Sequence, residues 1–522
     1  MYYDPPVWKS PRAARLLSLL LCILLALGCA ACAGTTDDAS STASETSGNV
    51  SDGPAQDDYH DGSGKYWPTY SDALSDEIIG DRTEVRVLVY NNKIQTTYFS
   101  EEIEPGLYST TDAKLTEAVT ERNNLVSEKL GITVKAVPVD DVNVTLRQEI
   151  LAPTGEFDIA MPFLGNCATL AQEGSFYDLR DFEEQGIIDL SAPWYDQNAN
   201  DSLSIQNRIY FTVSDLSIMQ KIVSTAVIYN TELIESKLPD LDLFQLVLDK
   251  EWTLDKMQEI GRTFASDLNG DGVRNSKDMW GAVTSNGTAL NFYFGAGEML
   301  CTKDENDVPI IAIGEGRSIR VSQKILETLQ EKDWVIRAES LRDEGSADIW
   351  TDTLAIFGEG RSAFYTMAFS AVKKLRAYDV DYAILPLPLA DDTQTEYYTP
   401  CTGTYAYGAV VPTSLNAEDA RFAAYMLDVL SAGGKQYVAT AYYDQILKNK
   451  DALSDSSKEI DILDLIFENV VYDVGVIYGF QGLNSLHTNL MIAGSTDIAS
   501  ALESVRSQVT EKINQIVEQY SK

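Results

Sequence analysis

Residues 267–278 read DLNGDGVRNSKD. Asp267, Asn269, Asp271, Asn275 and Asp278 carry side-chain oxygens at alternate positions and again at the end, and Gly272 stands where a tight loop needs a residue free of Cβ. Hard cations take several oxygen ligands from such a run. The calcium-loop scheme puts Asp267 at position 1, Asn269 at 3, Asp271 at 5, the Val273 carbonyl at 7, Asn275 at 9 and Asp278 at 12. Three carboxylates in one loop repel unless a cation lies among them. Asn, Asp and Gly also crowd ordinary turns, but six features at matched spacing favour one structural calcium ion. The run departs from a full helix–loop–helix site in two ways. Position 12 is Asp instead of the longer Glu, and MWGAV after it reads as a strand entry. Paired copies, as in docking modules of extracellular enzyme complexes, are lacking.

Other chemistry is sparse. The histidines are His60 and His487, with no nucleophile-elbow motif, which argues against a Ser-His-Asp triad or a His-rich zinc site. Cys167, Cys301 and Cys401 spell no disulfide framework, although Cys301 and Cys401 could pair in an exported protein. A formal net charge of −39, from 79 acidic and 40 basic residues, argues against nucleic acid or an anionic membrane surface as a partner, because binding their phosphates needs a basic face.

The positioning elements begin with an export signal. Lys9, Arg12 and Arg15 precede LLSLLLCILLALGCAAC, whose apolar run is short for a membrane span. LALGC resembles a bacterial lipobox with Cys29 as the lipidated residue; Cys32 fits less well, and a plain secretory signal cut near Ala31 or Ala33 is the alternative. Residues 33–65, rich in Ser, Thr, Asp and Gly, cannot bury enough apolar area to order themselves and read as a tether. The expected divisions are a signal peptide over 1–28 and a surface tether over 29–80.

In the body, EVRVLVY from Glu84, ITVKAVPV from Ile132 and FDIAMPF from Phe157 read as strands. Helical periods after Asp112, ending at Gly131, and in VNVTLRQEILA from Val142 alternate with them, which predicts an α/β fold with a parallel sheet. STAVIYNTELI opens a second group as a strand entering a helix. Helices over 254–265 and 319–331 continue it, and YAILPLP returns as a strand. Asn416 is the expected N-cap of the helix through Phe422, Met426 and Leu430. Ile498, Leu502, Val505, Val509, Ile513 and Ile516 form one stripe of a long terminal helix.

The lipobox and tether, FDIAMPF followed by GSFYDL, then IYFTVSDLSIMQKIVSTAVIYNTELI, EWTLDKM, GRSAFYTM, YAILPLPLADDTQTEYY and YGAVVPTSLNAEDARFAAYML, stand in an order that resembles the extracellular solute-binding proteins of carbohydrate ABC importers. The resemblance covers essentially all of the chain after the tether. It implies a type II periplasmic-binding-protein-like fold: two α/β lobes joined by crossing segments near 211–223, 389–397 and 441–447, with a cleft that closes on solute. Lobe one is expected over 81–215 plus 390–445, and lobe two over 216–389 plus 446–522. The implied protein is a lipid-anchored monomer on the cell surface that passes a solute, expected to be an oligosaccharide, to an ABC permease. Some members carry a similar calcium loop in the second lobe, which makes residues 267–278 a staple without regulatory role or solute contact.

Sugars stack on aromatic rings while polar side chains bind their hydroxyls. The C-terminal ends of parallel strands select Asn91, Asn92, Phe163 and Asn166 as solute ligands, and the resemblance adds Tyr365, Phe369, Tyr405 and Tyr407. Trp194, Trp252 and Trp280 are expected to pack structurally. The contending function is a surface carbohydrate-active enzyme using a carboxylate pair, although no pair stands out.

Overall fold

The computed structural model describes residues 59–109, 111–314, 316–448, 456–480 and 482–521. The signal peptide, Cys29 and the tether up to residue 58 lie outside the described residues. No helix among the described residues is long and apolar enough to cross a membrane.

The first lobe is built on a parallel sheet of order β2-β1-β3. β1 (Glu84–Tyr90) is central, in full register with β2 (Thr133–Val139) from Glu84↔Thr133 to Tyr90↔Val139, while β3 (Ile159–Ala160) pairs with Val87 and Leu88. A central strand is covered on both faces, which is why the alternation of EVRV gives way to a wholly buried VLVY. The crossover helix Ala113–Leu130 starts where the Asp112 carboxylate accepts the Lys114 N–H and stops at Gly131, whose φ of 70° lets its N–H close on Ser127. The expected strand from Phe157 is reduced to two paired residues. Beyond Ala160 the chain turns to a returning segment instead, through antiparallel bridges Ala160↔Val410 and Phe163↔Tyr407.

The second lobe holds a five-stranded sheet of order β10-β4-β9-β5-β8. β4 (Thr225–Asn230) runs antiparallel to β9 (Ser362–Ala368) and β10 (Tyr382–Leu385), and β5 (Trp280–Thr284) runs parallel to β9 and β8 (Val335–Arg337). A hairpin of β6 (Cys301–Lys303) and β7 (Pro309–Ile311) stands apart. The helix Leu254–Phe264 lies on β5 at glycine distance. A Cβ on Gly281 would sit 2.5 Å from the Gly261 carbonyl oxygen, and an added methyl in such a contact costs about 1–3 kcal/mol. The three expected packing tryptophans are all buried, and their indole N–H groups donate to Asp428 (Trp194), Pro386 (Trp252) and Asn275 (Trp280).

Between the sheets the chain crosses by way of residues 211–224 and returns through residues 399–410. Bridges Thr212↔Ala409 and Ser224↔Cys401 tie these two crossings together, and β11 (Thr399–Pro400) pairs with β12 (Val470–Val471). After the return, the helix Ala417–Gly433 packs on Ala113–Leu130, with Gly433 against Arg122. The terminal helix Ile498–Tyr520 begins beside Gly314 of the second lobe and ends on Tyr210 of the first.

Two expectations need correction. The tether does not run to residue 80. Tyr59 donates to Asp189 and stands edge-on to Trp194, Asp61 pairs with Lys129, Lys129 covers Trp67, and a helix spans Asp72–Ile79. Four aromatic residues within this stretch, Tyr59, Tyr66, Trp67 and Tyr70, supply the apolar surface that the upstream composition lacks. Nor do Cys301 and Cys401 pair: both are free and buried. Cys301 lies in the β6 hairpin against Gly475, whereas Cys401 lies in the return crossing with its thiol toward the Gln220 carbonyl.

The docked N-terminal stretch is fastened by a buried acid. Tyr70 Oη and Trp194 Nε1 both donate to Asp428, which burial pushes up to about 7 although those hydrogen bonds pull it down. Its folded pKa therefore lies above the ordinary carboxylate value of about 4. Between these values the folded chain holds a proton that the unfolded chain has lost, so the contribution is present at acid pH and is lost as pH rises through about 7. Replacing Asp428 by Asn removes that slope. Denaturant unfolding at about pH 5 and about pH 8 is expected to show the wild type losing ground to Asp428→Asn at the higher pH; the same difference at both would refute the titration.

Candidate functional site

Where β1, the residues after β3 and the return crossing meet, their ends bring five aromatic rings together. Phe163 stacks on Tyr90 at 4.1 Å and 14°, and on Tyr407 at 5.4 Å and 23°. Tyr405 stands edge-on to Phe163 at 5.6 Å and stacks face to face on Tyr98 at 4.1 Å and 17°. Tyr90 and Phe163 end segments of the first sheet, Tyr405 and Tyr407 sit on the crossing, and Tyr98 comes from the loop after β1. Three separate chain segments thus build one aromatic cluster, with Tyr90, Phe163 and Tyr407 buried and Tyr98 and Tyr405 half-buried.

Hydrogen bonds set the orientation of these rings. Asn166 donates to Tyr90 Oη at 3.2 Å, and Tyr407 Oη donates to the Tyr98 carbonyl at 3.1 Å. From the second lobe, Ser370 Oγ lies 3.3 Å from Tyr98 Oη, and Lys373 reaches Glu101 at 3.3 Å. Ser370 opens the short helix Ser370–Leu375, which follows the end of β9, and Lys373 lies in its last turn. Tyr98 and Glu101 thus touch the second lobe at Ser370 and Lys373.

Of the residues selected from sequence, Phe163, Asn166, Tyr405 and Tyr407 are brought together here. Asn91 is buried in the turn after β1, its amide donating to Asp140 and accepting from the Lys93 N–H; Asn92 is half-buried beside it. Tyr365 stacks on Phe357 and Phe369 packs on Phe467, both buried in the second lobe; Phe369 directly precedes Ser370, and Tyr365 lies within electrostatic reach of Tyr98. Tyr90 and Tyr98 were not selected. Tyr90 carried a signal, as the last residue of a parallel strand; Tyr98, in an aperiodic loop, carried none.

The second site is the loop of residues 267–278. Asp267 accepts the N–H groups of Gly272 and Gly270, which hold its carboxyl below the usual range. Asn269 accepts from Asp271, Asp271 from Val273, and Asn275 from Lys277. Asp278 is fully buried and accepts from Leu268 and Asn275. Gly270 and Gly272 have φ of 71° and 78°, the left-handed backbone that the spacing demands. The Ser266↔Met279 bridge closes the loop, and β5 follows it at once. The donor set is oxygen only, the chemistry of a hard cation. No three acidic, His or Cys side chains converge on a common point among the described residues.

His487 lies 2.9 Å from Ser322 Oγ, a contact with the look of a nucleophile and its base. Both are fully buried, the Nδ1 atom has no acidic partner, and burial holds the imidazole down to about 3. It is a neutral packing residue beside Tyr293.

Comparison with known proteins agrees with this architecture. The family of bacterial extracellular solute-binding proteins matches residues 108–429. No curated protein matches the chain. Among solved structures, the chain is similar to an ABC substrate-binding protein from Listeria monocytogenes in complex with cycloalternan (14% identity, 83% of this chain and 100% of that one, TM-score 0.52). It is also similar to a cyclo/maltodextrin-binding protein complexed with maltotetraose (13%, 83% and 98%, 0.53) and to UgpB from Mycobacterium tuberculosis in complex with glycerophosphocholine (14%, 83% and 99%, 0.51). At these identities the likeness shows a shared two-lobed α/β fold. Such proteins bind and deliver solutes to ABC transporters outside the cytoplasm and are not enzymes, so the reading as a carbohydrate-active enzyme falls away. With a family match spanning more than half its length, the chain belongs to the bacterial extracellular solute-binding proteins.

Proposed function

We propose that the chain is a lipid-anchored, monomeric receptor that captures an oligosaccharide between its lobes and passes it to an ABC permease at the cell surface. The observation that carries the sugar is the five-ring cluster of Tyr90, Tyr98, Phe163, Tyr405 and Tyr407. Sugar rings present apolar faces to such surfaces, and the Ser370 hydroxyl beside Tyr98 suits a sugar hydroxyl. Two of the similar structures hold oligosaccharides, cycloalternan and maltotetraose. The third holds glycerophosphocholine, which makes that compound the natural control. Support for the anchor is the LALGC motif at Cys29 and the polar stretch after it.

A solute that binds only the folded chain raises its melting temperature. Maltotetraose or cycloalternan is expected to do so and glycerophosphocholine is not. Tyr405→Ala is expected to weaken the sugar about tenfold, roughly 1.4 kcal/mol. A shift with glycerophosphocholine alone would replace the sugar by a phosphodiester.

The loop of residues 267–278 is proposed to hold one calcium ion through Asp267, Asn269, Asp271, the Val273 carbonyl, Asn275 and Asp278. Its support is the oxygen-only donor set, the two left-handed glycines and a closed base. The ion would fix the turn between the helix Leu254–Phe264 and β5, remote in sequence from every aromatic residue of the cluster. A chelator is expected to lower the melting temperature and added calcium to restore it, with Asp278→Ala insensitive to both. An unmoved melting temperature in the wild type would end the assignment.

A further inference from the structure

Residues 91–109, between β1 and the helix Ala113–Leu130, contain neither helix nor strand. Unstructured connections this long in a compact domain usually serve function. This one is nonetheless held at many points. The Ile103 carbonyl accepts Arg122 Nη2 at 2.8 Å and Asn123 Nδ2 at 3.0 Å, and Glu104 binds Lys135 and the Ala136 N–H.

At its middle lies Glu102, only 1% exposed. Its carboxylate accepts Ser217 Oγ at 2.6 Å, Ser100 Oγ at 2.9 Å and the Glu101 N–H at 2.7 Å. Burying a carboxylate is costly unless its oxygens are satisfied, and here the satisfaction comes partly from outside the loop. Ser217 belongs to the crossing of residues 211–224, the path from the first lobe to the second, and its hydroxyl also accepts the Met219 N–H at 3.0 Å. Beside Glu102, the loop presents the two groups that touch the second lobe: Tyr98, toward Ser370, and Glu101, toward Lys373.

We propose that Glu102 is a positioning residue for solute binding: through Ser217 it ties the loop that presents Tyr98 to the segment about which the lobes turn. The Tyr98 face of the aromatic cluster is then set by lobe geometry instead of by the loop's own preferences. The proposal rests on the reading that the Tyr98–Tyr405 stack faces the solute. A carboxylate is suited to the task because one group with several lone pairs can gather donors from the crossing and the loop together.

Hydrogen exchange on the full chain tests this without a ligand. Ser217→Ala removes one hydroxyl from the contact, and Glu102→Gln keeps the shape while replacing an acceptor by a donor. In both variants, amides of residues 93–107 and of the helix Ser370–Leu375 are expected to exchange about tenfold faster, with the helix Ala113–Leu130 unchanged. The near-ultraviolet circular dichroism of the Tyr98–Tyr405 stack should fall as it does in Tyr98→Ala, and affinity for maltotetraose should drop about tenfold. Unchanged exchange in the loop, or a rise spread evenly over the chain, overturns the proposal. If wild type binds no sugar while the local exchange pattern appears, the sugar reading fails and the positioning role stands.

Discussion

Backbone hydrogen bonding seats the return crossing on the first lobe. From Thr399 to Thr413 this segment is bonded first to residues 469–471, then to Pro162, Leu164 and Gly165, then to Thr212, Ala160 and finally Tyr177 and Ser175. The bonds Leu164 N–H to Ala406, Gly408 N–H to Pro162, Ala409 N–H to Thr212 and Val410 N–H to Ala160 all lie between 2.8 and 3.0 Å. Main-chain groups make these contacts, so the frame does not depend on which side chains the crossing carries. Side chains at 405 and 407 are thereby left to join the aromatic cluster.

β3 is bonded on both edges: Asp158 and Met161 donate to Arg86 and Leu88 of β1, while Ala160 exchanges both of its bonds with Val410 of the crossing. Pro162, lacking an N–H, offers only its carbonyl, to Gly408. The chain leaves the sheet there and delivers Phe163 between Tyr90 and Tyr407. Secondary structure is given up at the point where the aromatic surface begins, a common trade at binding sites.

How much of this is legible in sequence depends on the range of the interaction. The caps at Asp112, Gly131 and Asn416, the strand ending at Tyr90 and the stripe from Ile498 to Ile516 are local signals, and each appears in the structure where the periodicity puts it. Phe163, Tyr405 and Tyr407 could be selected because strand ends and the family resemblance point to them. Tyr365 and Phe369 follow from the resemblance too, but their packing on Phe357 and Phe467 has no local signal in the sequence. Tyr98 and the early end of the tether at Tyr59 depend on contacts with residues more than a hundred positions away, Ser370, Tyr407, Asp189 and Trp194, which no local pattern encodes.

The three free cysteines have a consequence for handling the protein. Burial pushes each thiol up in pKa, so the reactive thiolate is scarce. Folding of the described residues therefore needs no oxidising partner. A cysteine introduced on the surface of either lobe would be the most reactive thiol among the described residues, giving spectroscopists a clean place to hang a label.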